Sequence, residues 1–328
     1  MKAIAPAKLI ITGEHSVVYG APALAVTLDC TLQLRATPSQ AFSVQSAHFP
    51  AYELTPADLP SLISALDARF DTYARGDIII DDVLHHPAEL LLYSLASLGA
   101  PTPCTLNVST AIPIGAGLGS SASLIAAAVK LAEYQTGNTL DHTACIHTVR
   151  HCERLQHGRG SILDAASVTL GGAVQVVAGE PEVIDAQLGT HWYRHNTGTP
   201  VVGTGAVVDH VRQHHSNDNA LWQRFSKVSH ALIDGLQRGQ SVTAFIKENH
   251  RLLCIIGVVP TAVQTLVTAI EAHGGAAKIC GAGAHRGDTA GQLLVYLPDN
   301  NAAALERHLG LSLEAVTMNP HGARCASD

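Results

Sequence analysis

The spacing of apolar and polar positions changes character along the chain. Residues 3–11 and 23–36 are β-type apolar runs on either side of a turn at 13–20. Helical spacing follows at 59–74 and 87–97, then a strand at 104–112 and a helix-forming stretch over 123–133. A further helix is predicted at 141–156, a strand at 173–177 after Gly171-Gly172, and a strand-rich passage at 180–193. Residues 197–200 read as a crossing segment. Beyond it the long amphipathic patterns dominate, at 219–238, 242–256 and 261–273. Strands at 275–279 and 293–296, a short helix at 301–308 and a strand near 313–318 complete the reading. Helices alternating with antiparallel strands predict an α+β architecture better than a doubly wound parallel sheet.

Composition narrows the classes. A chain of 328 residues is long for one compact unit, and the change of pattern predicts two domains, 1–195 and 196–328. Hydrophobic residues make up 47% and charged residues 14%, which supplies a core and excludes disorder. Aromatics are only 4%, so that core must be built from Ala, Leu, Val and Ile. The net charge of −7 without a basic run argues against nucleic-acid binding, which needs clustered cations. No apolar run reaches the ~18 residues that span a bilayer. No secretory signal pattern opens the chain. The seven cysteines form no CxxC and read as reduced thiols, so a cytoplasmic protein is expected. Nineteen histidines include the i,i+4 pairs His147/His151 and His210/His214, but neither has the further ligands of a zinc site. A homodimer is the one self-association considered.

The densest chemistry lies in Ile114-Gly115-Ala116-Gly117-Leu118-Gly119-Ser120-Ser121-Ala122. Glycines allow close backbone approach, the serines can cap the helix that follows, and a helix N-terminus attracts phosphate. Neither the Walker pattern nor the dinucleotide pattern fits, because the lysine is absent and the glycine spacing differs. Two other segments stand with it: Ala5-Pro6-Ala7-Lys8 running to Gly13-Glu14-His15-Ser16-Val17-Val18-Tyr19-Gly20, and Lys278-Ile279-Cys280-Gly281-Ala282-Gly283-Ala284-His285.

In order and spread these three segments resemble the motifs of the GHMP kinase superfamily, and the Gly-Glu-His-x-Val-Val-Tyr-Gly form is most like that of the mevalonate kinases. The resemblance implies a ribosomal-protein-S5-like N-terminal domain, a ferredoxin-like C-terminal domain, and a site in the cleft between them. It implies ATP bound at Gly115, Ala116, Gly117, Leu118, Gly119, Ser120 and Ser121, with Mg²⁺ on Ser121 and Glu153. By the same resemblance Asp164 is the base or orienting carboxylate, and Lys8 stabilises the developing alkoxide. Glu14, His15, Ser161, Gly281, Ala282 and Gly283 would meet the acceptor, a small molecule expected to be mevalonate phosphorylated at its 5-hydroxyl. Taken singly, Lys8 reads as a strand-edge cation and Asp164 as a helix cap; their joint occurrence in family order favours chemistry.

Three departures bear on the acceptor. Ala7 replaces a glycine, Ile162 stands where the family has glycine, and the third motif continues as Ala284-His285-Arg286-Gly287-Asp288 instead of a glycine run. Residues 284–291 are therefore expected to form a mobile flap with Arg286 reaching an anion. The alternatives are another GHMP kinase, acting on phosphomevalonate or a small sugar or alcohol, and a non-catalytic binding protein. A phosphorylated acceptor would need extra cations, for which Arg159 and Arg286 are the candidates.

Overall fold

The computed structural model describes residues 1–326. Two mostly antiparallel sheets, each backed by helices, confirm the α+β expectation. Strand β1 (Lys2–Thr12) lies beside the 16-residue β2 (Ala23–Pro38). The other edge of β2 is shared. Its second half pairs with β5 (Cys104–Thr110), and its first half pairs with β6 (Ala173–Val177). Between them Thr27 turns its backbone to Gly172 and Asn319. Strands β3 (Phe42–Ser46) and β4 (Tyr52–Leu54) extend the β5 edge, and β7 (Glu180–Ile184) extends β6.

Helices α1 (Leu59–Ala74), α2 (Pro87–Leu95), α3 (Ser120–Thr136), α4 (His142–His157) and α5 (Ile162–Leu170) accompany this sheet. The Ala-rich face of α3, from Ala122 through Ala132, is fully buried, as a core poor in aromatics requires. The second sheet has the order β11 (Glu314–Ala315), β8 (Trp192–Asn196), β10 (Gln292–Tyr296), β9 (Ala276–Ile279). Its helices are α6 (Thr204–His215), α7 (Asn219–Gln237), α8 (Thr243–Ile255), α9 (Thr261–Ala272) and α10 (Ala302–Leu309). The expected boundary after residue 195 falls inside β8, which pairs wholly within the second sheet. The chain then returns: β12 (Arg324–Ala326) pairs with the start of β1. Among the described residues no helix is long and apolar enough to cross a membrane.

A buried polar seam joins the two units. The Thr12 hydroxyl lies 2.8 Å from that of Ser229 on α7 and accepts from Asn249 Nδ2 on α8 at 3.1 Å. Five elements escaped the sequence reading. Residues 162–170 form α5 where no element was predicted, and 204–215 form α6 beyond the crossing segment; β3, β4 and β12 are short strands toward the two ends of the first sheet.

Candidate active site

The site begins with a defect in a strand. The β1–β2 register shifts between Pro6 and Ala7, where proline has no N–H to give the ladder. The freed Pro6 carbonyl accepts from Ser123 Oγ of α3 at 2.7 Å, and Lys8 N donates to Leu118 O at 3.0 Å. Strand β1 is thus bonded directly to the 115–121 loop. Gly119 makes the contact possible, since a Cβ there would lie 2.8 Å from Lys8 Cγ and its φ of 73° suits glycine.

No side chain caps α3, contrary to expectation. Ser120 and Ser121 open the helix without folding back on it, and Ser123 is turned to Pro6 and Gly119. The first-turn N–H groups keep no internal acceptor, which is the condition for binding an anion there. In the loop Gly115 and Gly117 are exposed while Ala116 and Leu118 are buried. Those two residues can offer a ligand only main chain.

Lys8 Nζ sits 3.0 Å from Asp164 Oδ2, with the lysine nearly buried. Asp164 is held by Ser161, whose Oγ caps α5 by accepting from Asp164 N and also donates to Asp164 Oδ1, both at 3.2 Å. Glu153 on α4 accepts from Ser161 N at 2.9 Å and from Ser121 Oγ at 3.4 Å. His157 Nε2 lies 3.2 Å from the same Ser121 hydroxyl, a neighbour the sequence reading missed. Burial first, and the charge of Asp164 second, push the Glu153 carboxyl well above the usual carboxylate range. The two acids are therefore underneutralised by Lys8 alone, and the hard oxygens of Glu153 and Ser121 fit a further cation of the Mg²⁺ type. Among the described residues no group of three or more His, Cys, Asp or Glu could hold a metal, so such an ion would need phosphate or water to complete its shell.

The first and third motifs meet across the units. His15 has φ 57° and ψ −38°, a conformation uncommon outside glycine, and its Nε2 donates to Ala282 O at 2.9 Å. Burial lowers the imidazole pKa to about 4, so the ring is neutral near pH 7. Glu14 does not stand open to an acceptor as expected. Its Oε1 pairs with Lys278 Nζ of β9, both side chains are fully buried, and Lys278 donates also to Ile279 O at 2.8 Å. Burial raises the Glu14 carboxyl and Lys278 opposes this, while Glu14 Oε2 has no partner. Lys278 escaped the sequence reading because a strand lysine next to a glycine turn gives no local sign of its partner 264 residues away.

Gly117 brings the second and third motifs together, since a Cβ on it would lie 3.2 Å from Cys280 O. Gly283 serves packing instead: its Cβ would lie 2.2 Å from Val258 O, which accepts from Ala284 N. The expected flap is fastened at both ends, by Ala284 N to Val258 O and by Gly291 N to Gly198 O. Thr289 Oγ1 adds a bond to Thr199 O at 2.8 Å. Arg286 is exposed and no ion pair links it to Asp288. His285 instead stacks on His210 of α6 at 4.6 Å, which in turn lies 4.3 Å from His214.

Comparison with known proteins agrees with this convergence of three distant segments. Residues 86–172, which carry the loop, Glu153 and Asp164, match the family model for the GHMP kinases N terminal domain. Over those residues the chain carries a GHMP kinase N-terminal domain. It is 30% identical to the mevalonate kinase of Pyrococcus abyssi over 181 residues, spanning 55% of this chain and about half, 52%, of that relative. Its match to the mevalonate kinase of Thermococcus sibiricus is 26% identical and spans 86% of both chains. The fold of the Methanococcus jannaschii mevalonate kinase superposes with a TM-score of 0.77 at 19% identity, covering 97% of this chain and 98% of that chain.

Two predictions follow from the buried charges. Glu14→Gln should strand Lys278 and cost about 3–5 kcal/mol in urea unfolding. Adding Lys278→Met should recover part of that loss, and strict additivity of the two changes would dissolve the pairing. For Glu153, a carboxyl raised on folding stabilises the native state below its unfolded pKa, and that contribution disappears as pH rises through the raised value. Metal-free protein should lose stability on that rise and Glu153→Gln should lose much less; equal declines would acquit Glu153.

Proposed function

We propose that this GHMP kinase transfers the γ-phosphoryl group of ATP to the 5-hydroxyl of mevalonate. The observation that carries the reading is the Lys8–Asp164 pair beside the open N-terminus of α3, with Glu153 and Ser121 on the far side of Asp164. Similarity to mevalonate kinases over 86% of the chain supports the choice of acceptor.

In this reading the Gly115–Ser121 main chain and the free N–H groups of α3 cradle the nucleotide phosphates. Ser121 Oγ and Glu153 would hold Mg²⁺, whose positive charge offsets that gathering on the phosphate oxygens. Asp164 accepts the proton of the acceptor hydroxyl, and the adjacent Lys8 ammonium stabilises the oxygen as its charge grows. Ser161, bonded to both acids, fixes their relative position. His15, neutral and anchored on Ala282, would border the acceptor, with the main chain of Gly281 and Ala282 closing that side. Glu14 would act through its pairing with Lys278, and Gly283 through packing. The reading places the reaction in the cytoplasm.

The direct test is an ADP-release assay over mevalonate, phosphomevalonate, homoserine, galactose and no acceptor. Mevalonate should give the highest kcat/KM, and preference for any other acceptor would overturn the assignment. Asp164→Asn should keep nucleotide binding yet lose at least ~10²-fold in kcat; near-normal turnover would remove Asp164 from the chemistry. Gly117→Val should weaken ATP binding by crowding the loop against Cys280 O. Unchanged ATP affinity would mean that the loop is only a structural cap.

A further inference from the structure

Two side chains of α4 meet the first turn of α3. Glu153 and His157 are four residues apart, so they share one face of the helix. Both reach Ser121, whose Oγ lies 3.4 Å from Glu153 Oε1 and 3.2 Å from His157 Nε2. Among the described residues this is the one hydrogen-bond contact of the His157 ring. The end of the helix fixes where that ring stands. Gly158 closes α4 with φ 75°, its N–H donates to Arg154 O at 2.8 Å, and a Cβ there would lie 2.3 Å from Tyr73 Oη. Helix α1 therefore packs directly against the turn that follows His157.

A serine hydroxyl rotates freely unless a partner stops it, and it has one proton and two lone pairs to place. If its oxygen is to meet a cation, the proton must go elsewhere. Two acceptors lie within reach of Ser121, Glu153 Oε1 and His157 Nε2. Glu153 is itself an oxygen ligand in the proposed reading, so a proton aimed at it would take a lone pair wanted by the ion. The imidazole has no such competing use. Neutral and protonated on Nδ1, it can only accept at Nε2. A proton on Nε2 would instead be donated to Ser121 Oγ and would occupy the lone pair the ion needs.

We propose that His157 is a positioning residue, which accepts the Ser121 hydroxyl proton at a neutral Nε2 and so turns the Ser121 oxygen toward the divalent cation. The role of the cation rests on the proposed phosphoryl transfer; the hydrogen bond to Ser121 does not. Glu153 is backed in a matching way, since Ser161 N donates to its Oε2 at 2.9 Å. Each candidate ligand thus has one group behind it that sets its orientation before the nucleotide arrives, the usual work of outer partners at a metal site.

The first test reads the ring with no metal added. In the 15N spectrum of the wild type, the His157 signals, assigned by their loss in His157→Gln, should show the Nδ1–H form with Nε2 accepting. Ser121→Ala should shift the Nε2 resonance. An Nε2–H ring overturns the proposal, and so does a doubly protonated ring acting as a helix-end cation on the α4 dipole. The second test follows Mn²⁺ binding by electron paramagnetic resonance beside a non-hydrolysable ATP analogue. His157→Leu should weaken Mn²⁺ by at least ~10-fold, whereas His157→Gln, whose amide oxygen can accept, should largely restore it. Neither variant should change the melting temperature or the metal-free affinity for the analogue. Wild-type Mn²⁺ affinity in His157→Leu overturns the positioning role, and equal weakening in both variants shows packing in place of proton acceptance. Failure of the wild type itself to take up Mn²⁺ counts against the kinase reading, while the tautomer decides the bond to Ser121 independently.

Discussion

Everything at the centre of this molecule hangs on the crossing of β1 over the 118–119 turn. Lys8 gives its N–H to Leu118 O, passes its stem over the bare Cα of Gly119, and presents its ammonium to Asp164. A side chain at 119 or an unbroken ladder at Pro6 would each separate the strand from the loop. The chemistry of the pair therefore depends on two omissions, a missing N–H and a missing Cβ, more than on any added group. Buried and paired, the lysine also restrains the charge of an acid cluster that would otherwise repel itself.

The cleft is closed by polar contacts of unequal kinds. The Glu14–Lys278 pair is wholly buried and charged, whereas the Thr12–Ser229–Asn249 contacts are neutral. Replacing charged partners by apolar residues is often tolerated, but removing one alone is not, because the survivor remains desolvated. Such a pair makes the relative placement of the two units specific. It also fixes His15, whose strained backbone is held on the carbonyl of Ala282 from the opposite unit.

Much of this was legible in the sequence, for reasons that can be traced. Helices with a clear apolar stripe and terminal signals, such as 59–74, and the strand 173–177 after its glycine pair coincide with the structure. Lys8, Glu153 and Asp164 were singled out because family order linked residues that are bland when read singly. Helix α5 was left unassigned because its nine residues are too short for a clear apolar stripe, although Ser161 is a good N-cap and no helix breaker follows before Gly171. Helix α6 has a weaker apolar stripe, interrupted by three histidines and a glycine. Local patterns gave no means of finding Lys278, the Ser121–His157 contact or β12, since each depends on a partner far along the chain. The bonds that fasten 284–291 were not legible either, since the partners of Thr289 Oγ1 and Ala290 N lie 90 and 93 residues away.

The return of β12 to the edge of β1 has a topological meaning. Residues 192–315, with the whole second sheet, are inserted between β7 and the last strand of the first sheet. The segment that comes back is no loose end. Asn319 N bonds to Thr27 O, Ala323 N bonds to Val168 O, and Gly322 fits against Thr169 O where any Cβ would collide. It thereby clamps the far end of α5, the helix whose first turn carries Asp164. A single cut between the units cannot yield two self-sufficient halves, because the first would lose the strap that holds α5 in place. The first sheet is thus completed only by chain that has already passed through the second.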